Sequence, residues 1–365
     1  MAKSYKMFWR PDRAVMVCVL VAMALMTASC GGREDGGKEY ADDFTVEVMN
    51  GYTPVKNQGD NPVCWAYAML STIETEHIMR GDSVNLSVKY AVRCIIEREA
   101  VRYYISGKSR PLRIRGTAHR LLSAIADYGM LPYDSYRDDF NSDLRACAGK
   151  VRRIVAKAAA GRQGLAFVNE RVRHVADLDL GPVPPCAFML GAVYTPGEFG
   201  RSVCAPGEYV ALTSFTHLPY NEFVPLDLPD CEGYERFYNL PLDTMMSVIT
   251  RAVRGGHGVC WEGDISEPGF SFADGTAVLP PGTATDAASR QRAFERFATT
   301  DDHCMAIVGI ARDASGRRFF IMKNSWGTAN PFGGLMYVSE DYVRMKTIAV
   351  YLNYEKGVLG ALRAL

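Results

Sequence analysis

Behind Cys64, the apolar residues Ala66, Met69, Leu70 and Ile73 recur at three- and four-residue intervals, the spacing of a helix with a buried face. Asn61 and Pro62 stand before that run as an N-cap and a first helical residue, and Gly81 supplies a stop. The pattern predicts a helix in which Cys64 is the third residue. There the unpaired amides and the positive end of the helix dipole favour an anion. Towards the other end, Met305 to Ala311 is apolar and β-branched, and Arg318 to Lys323 follows after an Asp-Ala-Ser-Gly turn. His303 opens the first of these two strands and Asn324 closes the second. Thr347 to Tyr354 reads as a last strand. Successive strand residues face opposite sides, so Cys304 is expected to point away from the cleft that His303 faces.

The N-terminus has another character. Lys3, Lys6, Arg10 and Arg13 precede sixteen uncharged residues, Ala14 to Ser29, a run too short for a comfortable membrane span and suited to a signal peptide. Ala28-Ser29-Cys30-Gly31 resembles a bacterial lipobox, with Thr27 where Leu is usual. The expectation is a lipoprotein signal peptide over 1–29, lipidation of Cys30 and a flexible tether over 30–43. The protein would then be exported and lipid-anchored in the bacterial cell envelope, at the outer membrane, on its periplasmic side or at the cell surface. Ordinary signal cleavage and an uncleaved anchor are the alternatives.

Composition adds bounds. Hydrophobic residues make up 48% of 365, enough for a sizeable core, and no internal repeat appears. The chain carries 41 basic and 41 acidic side chains; removing the leader takes away four basic residues and Asp12, leaving a slightly acidic remainder without a basic patch for nucleic acid. No C-x-x-C or H-x-x-x-H spacing points to zinc, and no metal or cofactor is expected. Beyond Cys30 lie Cys64, Cys94, Cys147, Cys186, Cys204, Cys231, Cys260 and Cys304. Reserving Cys64 as a thiol leaves an odd number, and Cys186, Cys204 and Cys231 are the expected pairing set.

Four positions carry chemistry together. A thiol at its ordinary pKa is mostly protonated at neutral pH and needs a base or local positive potential to act as a nucleophile. Cys64 alone reads more readily as buried filler, His303 as a strand-end histidine and Asn324 as a loop cap. Gln58, Cys64, His303 and Asn324 in one chain instead supply an oxyanion donor, a nucleophile, a base and a group to orient the base.

The Asn-Gln-Gly-x4-Cys-Trp run, with Gln58 six residues before Cys64, and Asn324-Ser325-Trp326-Gly327 resemble the papain-like cysteine peptidases. The segments TPVKNQG (53–59), ALTSFTHLPY (211–220), YNLPLD (238–243), Trp261 to Asp264 with the following SEPGF, TTDDH (299–303) and KNSWGT (323–328) resemble the bleomycin hydrolase or aminopeptidase C branch. The resemblance runs from about Thr53 to the end. His303 lies 239 residues after Cys64, well beyond the short papain spacing. It implies an α+β, two-lobed fold over 44–365: a helical lobe carrying the Cys, an antiparallel β-barrel-like lobe carrying His and Asn, an insertion at about 140–235 and a possible C-terminal arm at 355–365.

The resemblance also implies roles. Cys64 attacks the carbonyl, Gln58 and the Cys64 amide hold the oxyanion, His303 moves the proton, Asn324 orients His303 and Trp326 shields that pair. Gly116, Trp65, Trp326 and the terminal Leu365 would meet substrate. Departures stand beside this. Cys94 takes the place of a family cysteine whose usual partner is Asn61 here, so that disulfide cannot form; Pro62-Val63 replace small residues, and paired glycines are reduced to Arg115-Gly116-Thr117. The implied activity is peptide cleavage through a thioester, foremost by an aminopeptidase acting on short peptides; a homo-oligomer stands among the partners considered. An endopeptidase or dipeptidyl peptidase with an open cleft, and a non-catalytic lipoprotein that captures peptides, are the alternatives.

Overall fold

A computed structural model describes residues 43–354 except 109, 138–142, 190 and 232; the leader, Cys30, most of the tether and the arm ending at Leu365 lie outside the described residues. One helix organises the molecule. Helix α1 (Cys64–Met79) is buried from Trp65 to His77, so it is covered all round rather than along a stripe. Its polar side chains are partnered accordingly. Glu74 accepts from Lys56 Nζ at 3.0 Å, from the Leu86 amide at 2.7 Å and from Thr53. Lys323 bonds Thr53 Oγ1 at 2.7 Å. Burial alone would raise the Glu74 carboxyl, but Lys56, Lys323 and these hydrogen bonds outweigh it and hold the group below its ordinary value. The network fixes the 53–56 segment against α1, immediately before Gln58. Gly81, at φ +95°, turns the chain after α1.

Around α1 lie α2 (Val88–Ile105), α3 (Ala118–Tyr128) and a hairpin of α4 (Leu144–Ala160) and α5 (Leu165–Leu180) packed on α2. A two-stranded ribbon, β2 (Ala187–Met189) with β3 (Ala192–Tyr194), leads to α6 (Pro196–Val203). The region expected as an insertion therefore holds α4 to α6, and it also gives β4 (Tyr209–Thr213) to the main sheet.

That sheet is largely antiparallel. Its remaining members are β1 (Phe44–Met49), β5 (Glu222–Val224), β6 (Phe237–Asn239), β7 (Val259–Gly263), β8 (Phe270–Ser271), β9 (Thr276–Ala277), β10 (His303–Asp313), β11 (Arg318–Lys323), β12 (Leu335–Ser339) and β13 (Thr347–Asn353). The hydrogen-bonded order is β5-β6-β4-β13-β7-β10-β11-β12-β9-β8, with β1 paired to β10. The path has two ends, so the lobe expected to be barrel-like is an open sheet among the described residues. The short strands β5 and β8, of three and two residues, provide no ladder long enough to close it.

Strand β10 is the spine. It pairs with β7 from His303 to Ile307 and with β1 from Gly309 to Asp313. Where the register shifts, a Cβ on Gly309 would meet the Val48 carbonyl at 2.6 Å, so a side chain there would push the two backbones apart. The two faces of the sheet build separate cores. Met305, Ile307, Trp261 and Val259 pack with α7 (Leu242–Arg254) and α9 (Glu340–Lys346), while Cys304 and Cys260 pack in the core around α1. A short helix, α8 (Ala287–Glu295), precedes the loop into β10.

All eight described cysteines are free thiols. The expected pairing of Cys186, Cys204 and Cys231 does not occur. Cys204 is buried after α6 and Cys231 is half-buried in the 228–235 loop, so each thiol is absorbed by its own local packing.

Candidate active site

The first residue of α1 and the first residue of β10 meet at a cavity of about 250 Å³ lined by Gln58, Cys64, Trp65, Gly116, His303 and Trp326, among others. The helix starts at Cys64 itself, later than the expected position. Asn61 is not its cap: Val63 occupies that place without a side-chain cap bond. The Asn61 amide is engaged elsewhere, donating to the Gln58 carbonyl at 3.0 Å and accepting from the Arg145 amide at 3.2 Å. Its backbone carbonyl takes a hydrogen bond from Gln58 Nε2 at 2.9 Å and one from the Val63 amide at 2.9 Å. The residues meant to cap the helix thus form a turn that fixes Gln58. Cys64 still stands on the exposed amides of a sixteen-residue helix.

His303 reaches Asn324 at 2.8 Å, Nε2 to Oδ1. The same Oδ1 accepts the Ser325 backbone N–H at 2.7 Å. A backbone amide can only donate, so that atom is the amide oxygen and His303 Nε2 must carry the proton. Nδ1 is therefore the ring nitrogen left to face Cys64 across the cavity that both line. Trp326 covers the pair, its ring centroid 4.7 Å from that of His303, and Phe270 and Phe272 stand edge-on to the indole. The Asn324 Nδ2 is buried without a partner among the described residues.

The two ends of the chain are stitched together at this point. Gln58 N donates to the Ser325 carbonyl at 2.8 Å, Gly327 N to the Lys56 carbonyl at 3.1 Å, and Asn57 bridges Trp326. Ser325 Oγ also donates to Gln58 Oε1 at 2.6 Å. The oxygen end of the Gln58 amide is anchored, which leaves its nitrogen end to serve both Asn61 and the cavity.

Gly116 lines the cavity as expected, held by Arg120, whose guanidinium bonds the Arg113 carbonyl at 2.9 Å and the Arg115 carbonyl. Trp65 lines the cavity too; it is 2% exposed, and its Nε1 also donates to the Ile114 carbonyl at 3.3 Å, which braces the 114–116 strip. Leu365 and Cys30 lie outside the described residues.

No family model matches the chain. Among curated proteins, Aminopeptidase W of Lactobacillus delbrueckii subsp. lactis is 24% identical over 367 residues, covering 84% of this chain and 82% of that one. The oryzain beta chain of Oryza sativa subsp. japonica is 31% identical over 83 residues, 22% of this chain and 18% of its own. Among solved structures, PepW from Lactobacillus rhamnosis aligns at a TM-score of 0.63 with 16% identity, over 96% of this chain and 93% of its own. The chain has the fold of the papain-like cysteine peptidases, and over most of its length its sequence is similar to an aminopeptidase.

At this site the thiol is electrostatically prepared. A hydrogen bond from the Cys304 thiol, followed by the contact and charge of His303, holds Cys64 well below the ordinary thiol range against the opposing effect of burial. Cys304 is pushed well up, by the Cys64 thiolate beside it and by burial. It does not point away from the cleft. Alternation along β10 is kept, but α1 packs on that strand, so His303 and Cys304 both line the cavity that Cys64 faces. Sequence reading missed this contact and the Ser325–Gln58 bond. It also missed a row of charge beside the thiol, where Arg115 Nε bonds Asp230 Oδ2 at 2.6 Å and Asp301 and Asp302 line the cavity. Burial, Asp230 and the Cys64 charge push Asp301 up to about 7.

Proposed function

We propose that the chain is an aminopeptidase that trims short peptides through a thioester on Cys64. The Cys64 thiolate attacks the scissile carbonyl, and Gln58 with the Cys64 N–H stabilises the oxyanion. His303, its ring set by Asn324, gives its proton to the leaving amine and then activates water against the thioester. The observation that carries the chemistry is the shared Asn324 oxygen, because it fixes the His303 tautomer with Nδ1 towards the thiol.

Two observations support exopeptidase action. Aminopeptidase W aligns over most of the chain, and Asp301 and Asp302 add carboxyl groups to a cleft wall on which Arg115 already neutralises Asp230, acceptors that a free ammonium group could engage. The comparison that tests this is hydrolysis of aminoacyl fluorogenic substrates against the same compounds N-acetylated. A loss of at least about tenfold in kcat/KM on acetylation is expected. Equal rates on both would favour the open-cleft endopeptidase reading, and release of dipeptides a dipeptidyl peptidase.

The same reading places the enzyme outside the cytoplasm, lipid-anchored through Cys30 after removal of residues 1–29. The basic leader, the uncharged run and the Ala28-Ser29-Cys30 end support it. With Cys30→Ala, the protein is expected to leave the membrane fraction of cells expressing it. Retention at wild-type level would dismiss the anchor.

A further inference from the structure

The mechanism uses one thiol, yet a second lines the same cavity. Cys304 is 3% exposed, sits next to His303 on β10, and lines the same cavity as Cys64 while packing in the same core around α1. Its location at the packed junction of α1 and β10 fixes that approach. Cys260, a fully buried third thiol, lies further down the same face of the sheet. The other described cysteines are spread through the helical core and loops.

We propose that Cys64 and Cys304 form a reversible disulfide when the enzyme meets a hydroperoxide, making Cys304 the resolving partner of the nucleophile. In the first step the Cys64 thiolate attacks the peroxide. The O–O bond breaks, an S–O bond forms, sulfur is oxidised to the sulfenic acid, and the leaving oxygen takes a proton as water or alcohol. In the second step Cys304 sulfur attacks Cys64 sulfur. The S–S bond forms, the S–O bond breaks, and the departing hydroxide takes the Cys304 proton as water. A dithiol reverses the sequence by two exchanges, itself being oxidised.

The arrangement suits both steps. Both thiols line the cavity, but Cys304 is only 3% exposed and packs in the core, so a small oxidant meets the half-buried Cys64 more readily. Both cysteines line one cavity of about 250 Å³ and pack in the core around α1, so the resolving sulfur has a short path to the atom it must attack. Proximity of this kind favours capture of the sulfenic acid over its further oxidation to the irreversible sulfinic acid.

The proposal uses the nucleophilic thiol of the reading above, but its primary readout is a cross-linked peptide, which does not depend on what the enzyme cleaves. The full chain, reduced and freed of reductant, is treated with a small excess of hydrogen peroxide and mapped by mass spectrometry without reduction. The expected product is a peptide pair linking Cys64 and Cys304, lighter by two hydrogens than the separate thiols. Peptidase activity falls at least about tenfold and returns on dithiothreitol. In Cys304→Ser and Cys304→Ala the linked pair is absent, Cys64 gains two oxygens, and dithiothreitol does not restore activity. The wild-type map decides the matter even where a variant folds poorly. Sulfinic acid on Cys64 with no linked pair, or a bond from Cys64 to any other cysteine, would overturn it. A linked pair without aminopeptidase activity in the reduced enzyme would leave this inference standing and remove the substrate reading instead.

Discussion

Cys64→Ala is expected to lower kcat/KM on peptide substrates by about 10⁴-fold or more while leaving the circular dichroism spectrum unchanged. The side chain removed is the one atom that forms the covalent intermediate, and His303, Asn324 and Gln58 then have nothing to activate or receive. The native thiol also carries a pH signature. Its pKa is lowered, by the Cys304 hydrogen bond and then by His303, so it loses its proton at lower pH than an ordinary thiol. As pH rises, reactivity therefore appears early rather than near 8.5. Burial pushes Cys94, Cys147 and Cys204 up to about 12, which keeps them protonated in the same range. Iodoacetamide at about pH 6 is thus expected to label Cys64 first. Labelling spread over several cysteines, or a variant within tenfold of wild type, would remove Cys64 from the centre of the mechanism.

How much of this was legible in the chain depends on the range over which each feature is encoded. Helix α1, the β10–β11 hairpin and the pairing of His303 with Asn324 are written in local periodicity, a turn and two strand ends, and the structure has them within a residue or two. Gln58 and Cys64 share one short segment, so their spacing was informative. What escaped were contacts between segments. Whether Cys304 faces solvent, core or thiol depends on which helix covers the start of β10, and strand alternation says nothing of that cover. Asn61 has the composition of a cap, but competing bonds to Gln58 and Arg145 draw it into a turn, so tertiary context overrides the local preference. The second partner of Trp65, the Ile114 carbonyl it braces, is 49 positions away and has no trace in its neighbourhood. The open sheet was likewise hidden, because strands of two or three residues give no periodic signal.

Gln58→Ala is expected to lower kcat by about 10² to 10³-fold with little change in KM, the pattern of a group that binds the transition state and not the ground state. The argument begins with the hydrogen-bond inventory of one amide. Gln58 Oε1 takes the Ser325 hydroxyl at 2.6 Å and Nε2 gives one hydrogen to the Asn61 carbonyl at 2.9 Å. A primary amide has two N–H groups, and the second remains for the cavity that Gln58 lines. Because the oxygen end is pinned, the amide cannot flip to present an acceptor to the developing negative charge, and no reorganisation is needed when that charge appears. Ser325→Ala frees the oxygen end and is expected to move kcat the same way by a smaller factor. Gln58→Glu keeps the shape but places a carboxylate where charge develops, so its kcat should fall at least as far as that of the alanine variant. A rise in KM at constant kcat would show instead that Gln58 holds the substrate before reaction, and the oxyanion would then rest on the amides at the start of α1 alone.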